Sequence, residues 1–234
     1  MLAVQKVQYW YVRSGFITIQ RLAARCTRTR SHQLQMQTTP CGSERETVAV
    51  TIILRRNETT GHDEVFLEER LVPATGGGTI GLVGGKLDHK DVEDVRKRCL
   101  LENLDMTSGQ FSDEVAKVTN MRELREEVEF TDEAGQPLTP LVQGPFGRLK
   151  LANYEYVVFK ARIPPSASVG INAAYAPRVR SVLWTPFMEA LADRDPRIMP
   201  STVPLLGLYL YLEEVRCHMA NFQPPEKSEA TKPM

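Results

Sequence analysis

The chain has few cysteines, no long apolar run and, over its first 43 residues, no acidic side chain. Cys26, Cys41, Cys99 and Cys217 are the only cysteines among 234 residues. They lie far apart with no Cys-x-x-Cys, so neither a disulfide scaffold nor a zinc module is indicated. No uninterrupted apolar stretch approaches the roughly 18 residues of a membrane-spanning helix. An internal repeat is also missing, which excludes a solenoid. What is present is an ordinary soluble composition, 42% hydrophobic and 25% charged, in a chain sized for one domain with extensions.

The net charge of zero hides a division. Residues 1–43 hold Lys6, Arg13, Arg21, Arg25, Arg28 and Arg30 and no Asp or Glu, leaving 23 basic against 29 acidic residues in the rest. Phe16, Ile19, Leu22, Ala23 and Cys26 fall at helical spacing, with Arg21, Arg25 and Arg28 on another side. An Arg-rich, acid-free amphipathic start reads as a mitochondrial targeting leader and predicts a matrix location. A basic nucleic-acid-binding arm or an extension of accidental composition are the competing readings. Without the leader the domain is mildly acidic, which argues against broad charge-driven RNA binding.

The domain is expected over 44–221, followed by a Pro-, Lys- and Glu-rich disordered tail over 222–234. Val48–Leu54 and Glu64–Glu68 read as strands around a polar loop, and Pro73–Gly78 as a mobile glycine loop. A helix is expected over Asp91–Leu104 and another from Ser112 or Asp113 to about Val128, with Val118, Met121, Leu124 and Val128 as its apolar stripe. Asn153–Arg162 and Arg178–Trp184 read as strands, Pro186–Ala192 and Thr202–Val215 as helices. Strands and helices interleave without a strict βαβ rhythm, which points to an α/β sandwich with a mixed sheet.

The informative segment is Arg122-Glu123-Leu124-Arg125-Glu126-Glu127. Glu123, Glu126 and Glu127 stand at i, i+3 and i+4, so all three project from one side of a helix. Such like-charge pairs oppose helix formation by roughly 0.2–0.5 kcal/mol each, and a hard divalent cation reverses that sign. Taken alone, the segment also reads as a solvated Glu/Arg surface.

The wider pattern resembles the signature of the Nudix hydrolases: a Gly, five residues, a Glu, seven residues, then Arg-Glu-hydrophobic-x-Glu-Glu-x-Gly-hydrophobic. Glu114, seven residues and Arg122–Phe130 match its second part, and Gly84-Gly85-Lys86 its first. On that alignment 23 extra residues, placed at about 88–112, interrupt the signature, and Glu129 stands where its second Gly belongs.

The resemblance implies an α/β/α sandwich and a pyrophosphohydrolase that uses Mg²⁺ or Mn²⁺. Glu123, Glu126 and Glu127 would be the metal-binding and catalytic carboxylates, with the carbonyl of Gly84 or Gly85 helping and Arg122 orienting a glutamate. Glu114 lies nine residues before Glu123, half a turn off the metal side, and is expected to support Arg122 from the loop–helix junction. Lys86, Arg148 and Lys150 are candidates for phosphate binding. Tyr154, Tyr156 and Phe146 are candidates for base stacking, and Glu155 is a candidate outside carboxylate. Adjacent Cys217 and His218 point about 100° apart on a helix and are discounted as a nucleophile pair.

The resemblance leaves the substrate open. A nucleotide or an RNA 5′ end is expected, cleaved in mitochondria with a possible RNA-binding partner subunit. Coenzyme A or a nucleotide sugar is the alternative, because Gly84-Gly85-Lys86-Leu87-Asp88 with Asp91 resembles a coenzyme A-associated pattern. A non-catalytic scaffold in a mitochondrial ribonucleoprotein is the third reading. No membrane partner is expected.

Overall fold

The computed structural model describes residues 46–71, 78–192 and 195–220, with side chains to residue 217. The leader, the tail and most of the Pro73–Gly78 loop lie outside the described residues. Strand β1 (Glu46–Arg56) is the axis of the sheet. Its Val50, Ile52 and Leu54 pack on one side, and Ala49 and Ile53 on the other. Burial on both faces is why this stretch reads as a continuous apolar run and does not alternate. β7 (Tyr154–Arg162) lies parallel to β1 along nearly its whole length. β6 (Leu141–Leu151) adds antiparallel beyond it. On the other edge of β1 come β2 (Asp63–Arg70), through a tight hairpin, and β4 (Val83–Lys86). β3 (Ile80–Gly81) and β9 (Val179–Pro186) both pair with β2. A separate pair, β5 (Val128–Thr131) with β8 (Ser168–Ile171), completes the strands.

Two helical layers cover this mixed sheet. On one face α3 (Phe187–Leu191) and α4 (Thr202–Ala220) supply Phe187, Val203, Leu205, Leu206 and Tyr209 to the larger core. On the other lies α2 (Ser108–Glu127), whose Ala116 meets Ala49, Val157 and Phe159 and whose Leu124 joins Ile53, Phe66 and Val83. α1 (His89–Leu101) packs against α2, with Val95 as its buried apolar residue. The α/β/α sandwich is as expected. Among the described residues no helix is long and apolar enough to cross a membrane.

Several boundaries differ from expectation. α2 begins at Ser108, because Thr107 caps it in a reciprocal box with Gln110. Thr107-Ser108-Gly109, which lies between the two expected helices, is therefore a helix start. α2 then ends without a left-handed turn: Val128 is extended, at φ −130° and ψ 151°, and passes straight into β5. That is why Glu129 can replace a glycine there. β5, β6 and β8 were not anticipated. β6 carries a register shift between Gln143 and Gly147, and Gly and Pro there mask its alternation.

Candidate active site

The site forms where the last turn of α2 meets β4. Glu127 points inward and is only 4% exposed, and its Oε2 accepts the Gly84 amide at 2.9 Å. Glu123 is half-buried against Gly85, where an added Cβ would overlap its carboxylate. Glu126 projects to solvent. The three glutamates thus run from surface to interior across one helix end. Gly84 sits at φ +145°, where an added Cβ would collide with the Ala49 carbonyl, a close approach that only glycine permits.

Arg122 ties the row together. Its guanidinium pairs with Glu123 at 2.8 Å and donates to Glu126 at 3.2 Å. It also reaches the Lys86 carbonyl at 3.2 Å and makes a forked contact to Asp91 at 3.0–3.1 Å. Asp91 is buried, accepts from the Thr119 hydroxyl at 2.8 Å and closes the capping box of α1 with Asp88. Burial works against its charge, but hydrogen bonds from Arg122, the backbone and Thr119 outweigh that and hold its carboxyl below the ordinary range.

Behind Glu127 lies a polar group that sequence reasoning did not find. Glu68 on β2 is fully buried, receives Arg70 at 2.7 Å and is 3.4 Å from the Tyr175 hydroxyl. Its Oε2 has no hydrogen-bond partner. Burial, then the charge of Glu68, pushes the Glu127 carboxyl up to about 8, with Arg70 pulling the other way. Burial also raises Glu123 and Glu68. No local motif joins Glu68, Arg70, Tyr175 and Glu127; strand pairing and the loop after β8 bring them together.

No protein-family model and no curated protein matches the sequence. Solved structures do share its fold. A NUDIX hydrolase from Alicyclobacillus acidocaldarius superposes with a TM-score of 0.52 at 16% identity, covering 79% of this chain and 100% of that one. The fold is that of the Nudix hydrolases. More distant are a mutT/nudix family protein from Listeria innocua, with a TM-score of 0.42, 15% identity and coverage of 76% and 99%, and the NUDIX domain of Shewanella oneidensis NrtR complexed with ADP ribose, with 0.40, 18%, 78% and 94%.

The side-chain contacts align the signature differently from the expectation. Glu114 does not support Arg122: it pairs with Arg98 at 2.6 Å and Lys117 at 3.7 Å. Asp91 occupies that role. It stands six positions after Gly85, the spacing of the signature's first half, with Asp in place of Glu. The 23 extra residues therefore fall between Asp91 and Arg122, where 30 residues stand in place of seven. Intact spacing from Gly85 was the signal that could have found Asp91.

The proposed substrate residues do not gather at the glutamates. Lys86 pairs with Glu46 at 2.6 Å and lies over the Tyr154 ring at 5.4 Å. In β4, alternation turns Lys86 to the opposite side from Gly85, with Tyr154 and Tyr156. Phe146 packs on Tyr209 of α4. Arg148 binds Glu155 at 3.2 Å and Asp113 at 2.6 Å, with Lys150 3.8 Å from Glu155. Asp113 precedes Glu123 by ten residues, about 15 Å along the helix, so Glu155 is no outside carboxylate for this site. Cys217 is exposed, and the His218 side chain lies outside the described residues.

As they stand, no three acidic, imidazole or thiol groups among the described residues converge tightly enough to hold a metal ion. Arg122 draws Glu123 and Glu126 to itself while Gly84 holds Glu127. The donors nevertheless fit a hard divalent cation in kind. They offer three carboxylates on one helix end, a backbone with no Cβ before Glu123, and a buried carboxylate oxygen on Glu68 without a partner.

Proposed function

We propose that this chain is a Mg²⁺- or Mn²⁺-dependent hydrolase of a diphosphate linkage, acting on the triphosphorylated 5′ end of RNA in the mitochondrial matrix. The observation that carries the hydrolase reading is the Glu123–Glu126–Glu127 row on the Nudix fold, oriented by Arg122 and seated on Gly84 and Gly85. A cation held by these carboxylates and the Gly85 carbonyl would polarise a phosphoryl oxygen and lower the pKa of water. The protein's own part is positioning. Asp91 fixes Arg122, Arg122 fixes Glu123 and Glu126, and the Gly84 amide fixes Glu127.

The Arg-rich, acid-free leader supports mitochondria. Its combination with the chain's size and interrupted signature also resembles the edited-mRNA stability factor of RNA-editing mitochondria, which supports the RNA substrate. The mildly acidic domain suits a partner subunit that contributes RNA affinity. The coenzyme A-like acids have structural duties here, since Asp88 caps α1 and Asp91 anchors Arg122. The scaffold reading is disfavoured by three intact glutamates.

The test is phosphate or diphosphate release by the protein with Mg²⁺. Substrates are triphosphorylated RNA, nucleoside di- and triphosphates, coenzyme A and nucleotide sugars. RNA turnover that is abolished in Glu126→Gln and Glu127→Gln, with both variants folded, is the expected result. Activity equal to wild type in those variants refutes the site. Turnover of coenzyme A alone moves the protein to metabolism.

A further inference from the structure

The inserted residues do more than lengthen a loop. They build α1 and the first turns of α2, and between the two helices lies a cleft of about 490 Å³ whose far end is Arg122 and Glu126. Val118 and Met121 on α2 form the apolar part of its lining, beside Lys90, Lys117 and Arg125. On α2 these residues recur at i, i+1, i+4, i+8 and i+9 from Lys117 to Glu126, one continuous stripe. Lys90, Lys117 and Arg125 are all exposed. Lys90 and Arg125 make no ion pair with any described residue, and Lys117 stands 3.7 Å from Glu114. The other cations are spoken for: Arg98 by Glu114 and Arg122 by Asp91, Glu123 and Glu126. The one acid in the cleft without a cation partner among the described residues is Asp94, and the lining carries five basic against four acidic side chains.

We propose that this cleft binds a phosphate-bearing tail of the substrate, beyond the diphosphate that is cleaved. From Lys117 to Glu126 is nine residues, about 14 Å of helix, room for more than one further phosphate. Cations on both walls would take the phosphates while Val118 and Met121 lie under the apolar faces between them. The inference rests on the hydrolase reading for the place of the cleaved bond, and it explains why the insertion sits inside the signature. Two sources carry such a tail: an oligonucleotide, or a nucleotide with an additional phosphate such as coenzyme A.

Equilibrium binding to the full chain, in chelator so that nothing is turned over, tests it directly. The probes are 5′-triphosphorylated RNA of one, two, four and eight nucleotides, and coenzyme A beside its 3′-dephosphorylated form. Affinity is expected to rise about tenfold from one to four nucleotides, and the slope of log K against log salt to steepen by roughly 0.7 for each further phosphate neutralised. Lys90→Gln with Arg125→Gln removes that rise and about 1.4 of the slope, leaving affinity for the mononucleotide within twofold. Lys90→Arg with Arg125→Lys restores it, which separates charge from misfolding. A rise confined to coenzyme A over its dephosphorylated form assigns the cleft to a small nucleotide. Affinity independent of tail length and extra phosphate, or a rise that survives the double Gln variant, overturns the proposal. Phosphate release with Mg²⁺ is followed in parallel. If no substrate is turned over, the hydrolase reading fails while the binding series still decides the cleft.

Discussion

The two ends of α2 are held by different physics. At its last turn, Leu124 and Glu127 are buried against the sheet, the Gly84 amide binds a carboxylate, and the Asn172 amide reaches back to the Glu127 carbonyl at 3.0 Å. At the inserted end Val115 and Ala116 are buried, but the side-chain ties before them are half-exposed ion pairs, Arg98–Glu114 and Arg148–Asp113, each at 2.6 Å. Beyond them Leu100 and Leu101 stand 82% and 87% exposed. Close backbone approach leaves no room for variation, whereas surface ion pairs contribute about 0–1 kcal/mol and tolerate it. An insertion of 23 residues therefore enters the signature at its loose side and leaves the glutamates in place.

The sharpest way to break the tight end is Gly85→Ala. Its Cβ would overlap the Glu123 carboxylate, and Gly85 has no left-handed backbone to lose, so damage falls on the site before the fold. Turnover is expected to drop by more than about 100-fold, exceeding what loss of a supporting residue costs, while the thermal midpoint moves little. Kinetics and a melting curve on one preparation check both. A large fall in stability with turnover intact would show that Gly85 serves packing instead.

Next comes the pair Asp91→Asn and Glu114→Gln. Asp91 is buried under Arg122 and belongs to the tight end; Glu114 serves the insertion. Removing the Asp91 charge should lower metal affinity or turnover about 10–100-fold. Glu114→Gln should change turnover less than about threefold and stability by under about 1 kcal/mol. Equal effects would return the signature's acid to Glu114.

That pair also shows what was legible beforehand. The Arg122–Glu127 run and the twin glycines are local, periodic signals, and the structure brings them together. The sandwich followed from strands buried on both faces and helices with one apolar stripe. Asp91 was within reach, since its spacing from Gly85 is undisturbed, but the seven residues between Glu114 and Arg122 offered a competing match. Lys86 and Tyr154 were misplaced because strand alternation sends neighbours to opposite faces. Glu68 and Tyr175 lie 107 residues apart, and only the pairing of β2 with β9 and the route of the loop after β8 could reveal their meeting.

The smallest expected effect is on stability, and it too separates the two ends. In the unfolded chain the Glu127 carboxyl ionises near 4.5, and in the folded protein near 8. Between those values the folded state holds the additional proton, so stability falls as pH rises. The contribution is fully present below about 4.5 and lost once pH passes about 8. Urea unfolding of the metal-free protein at about pH 5, 6.5 and 8 should show this decline, and Glu127→Gln should flatten it. Glu114→Gln, at the loose end, should leave the slope as it is. A wild-type curve that stays flat over the same interval would mean that Glu127 is ionised in the folded protein as it is in the unfolded chain, with Arg70 offsetting what burial opposes.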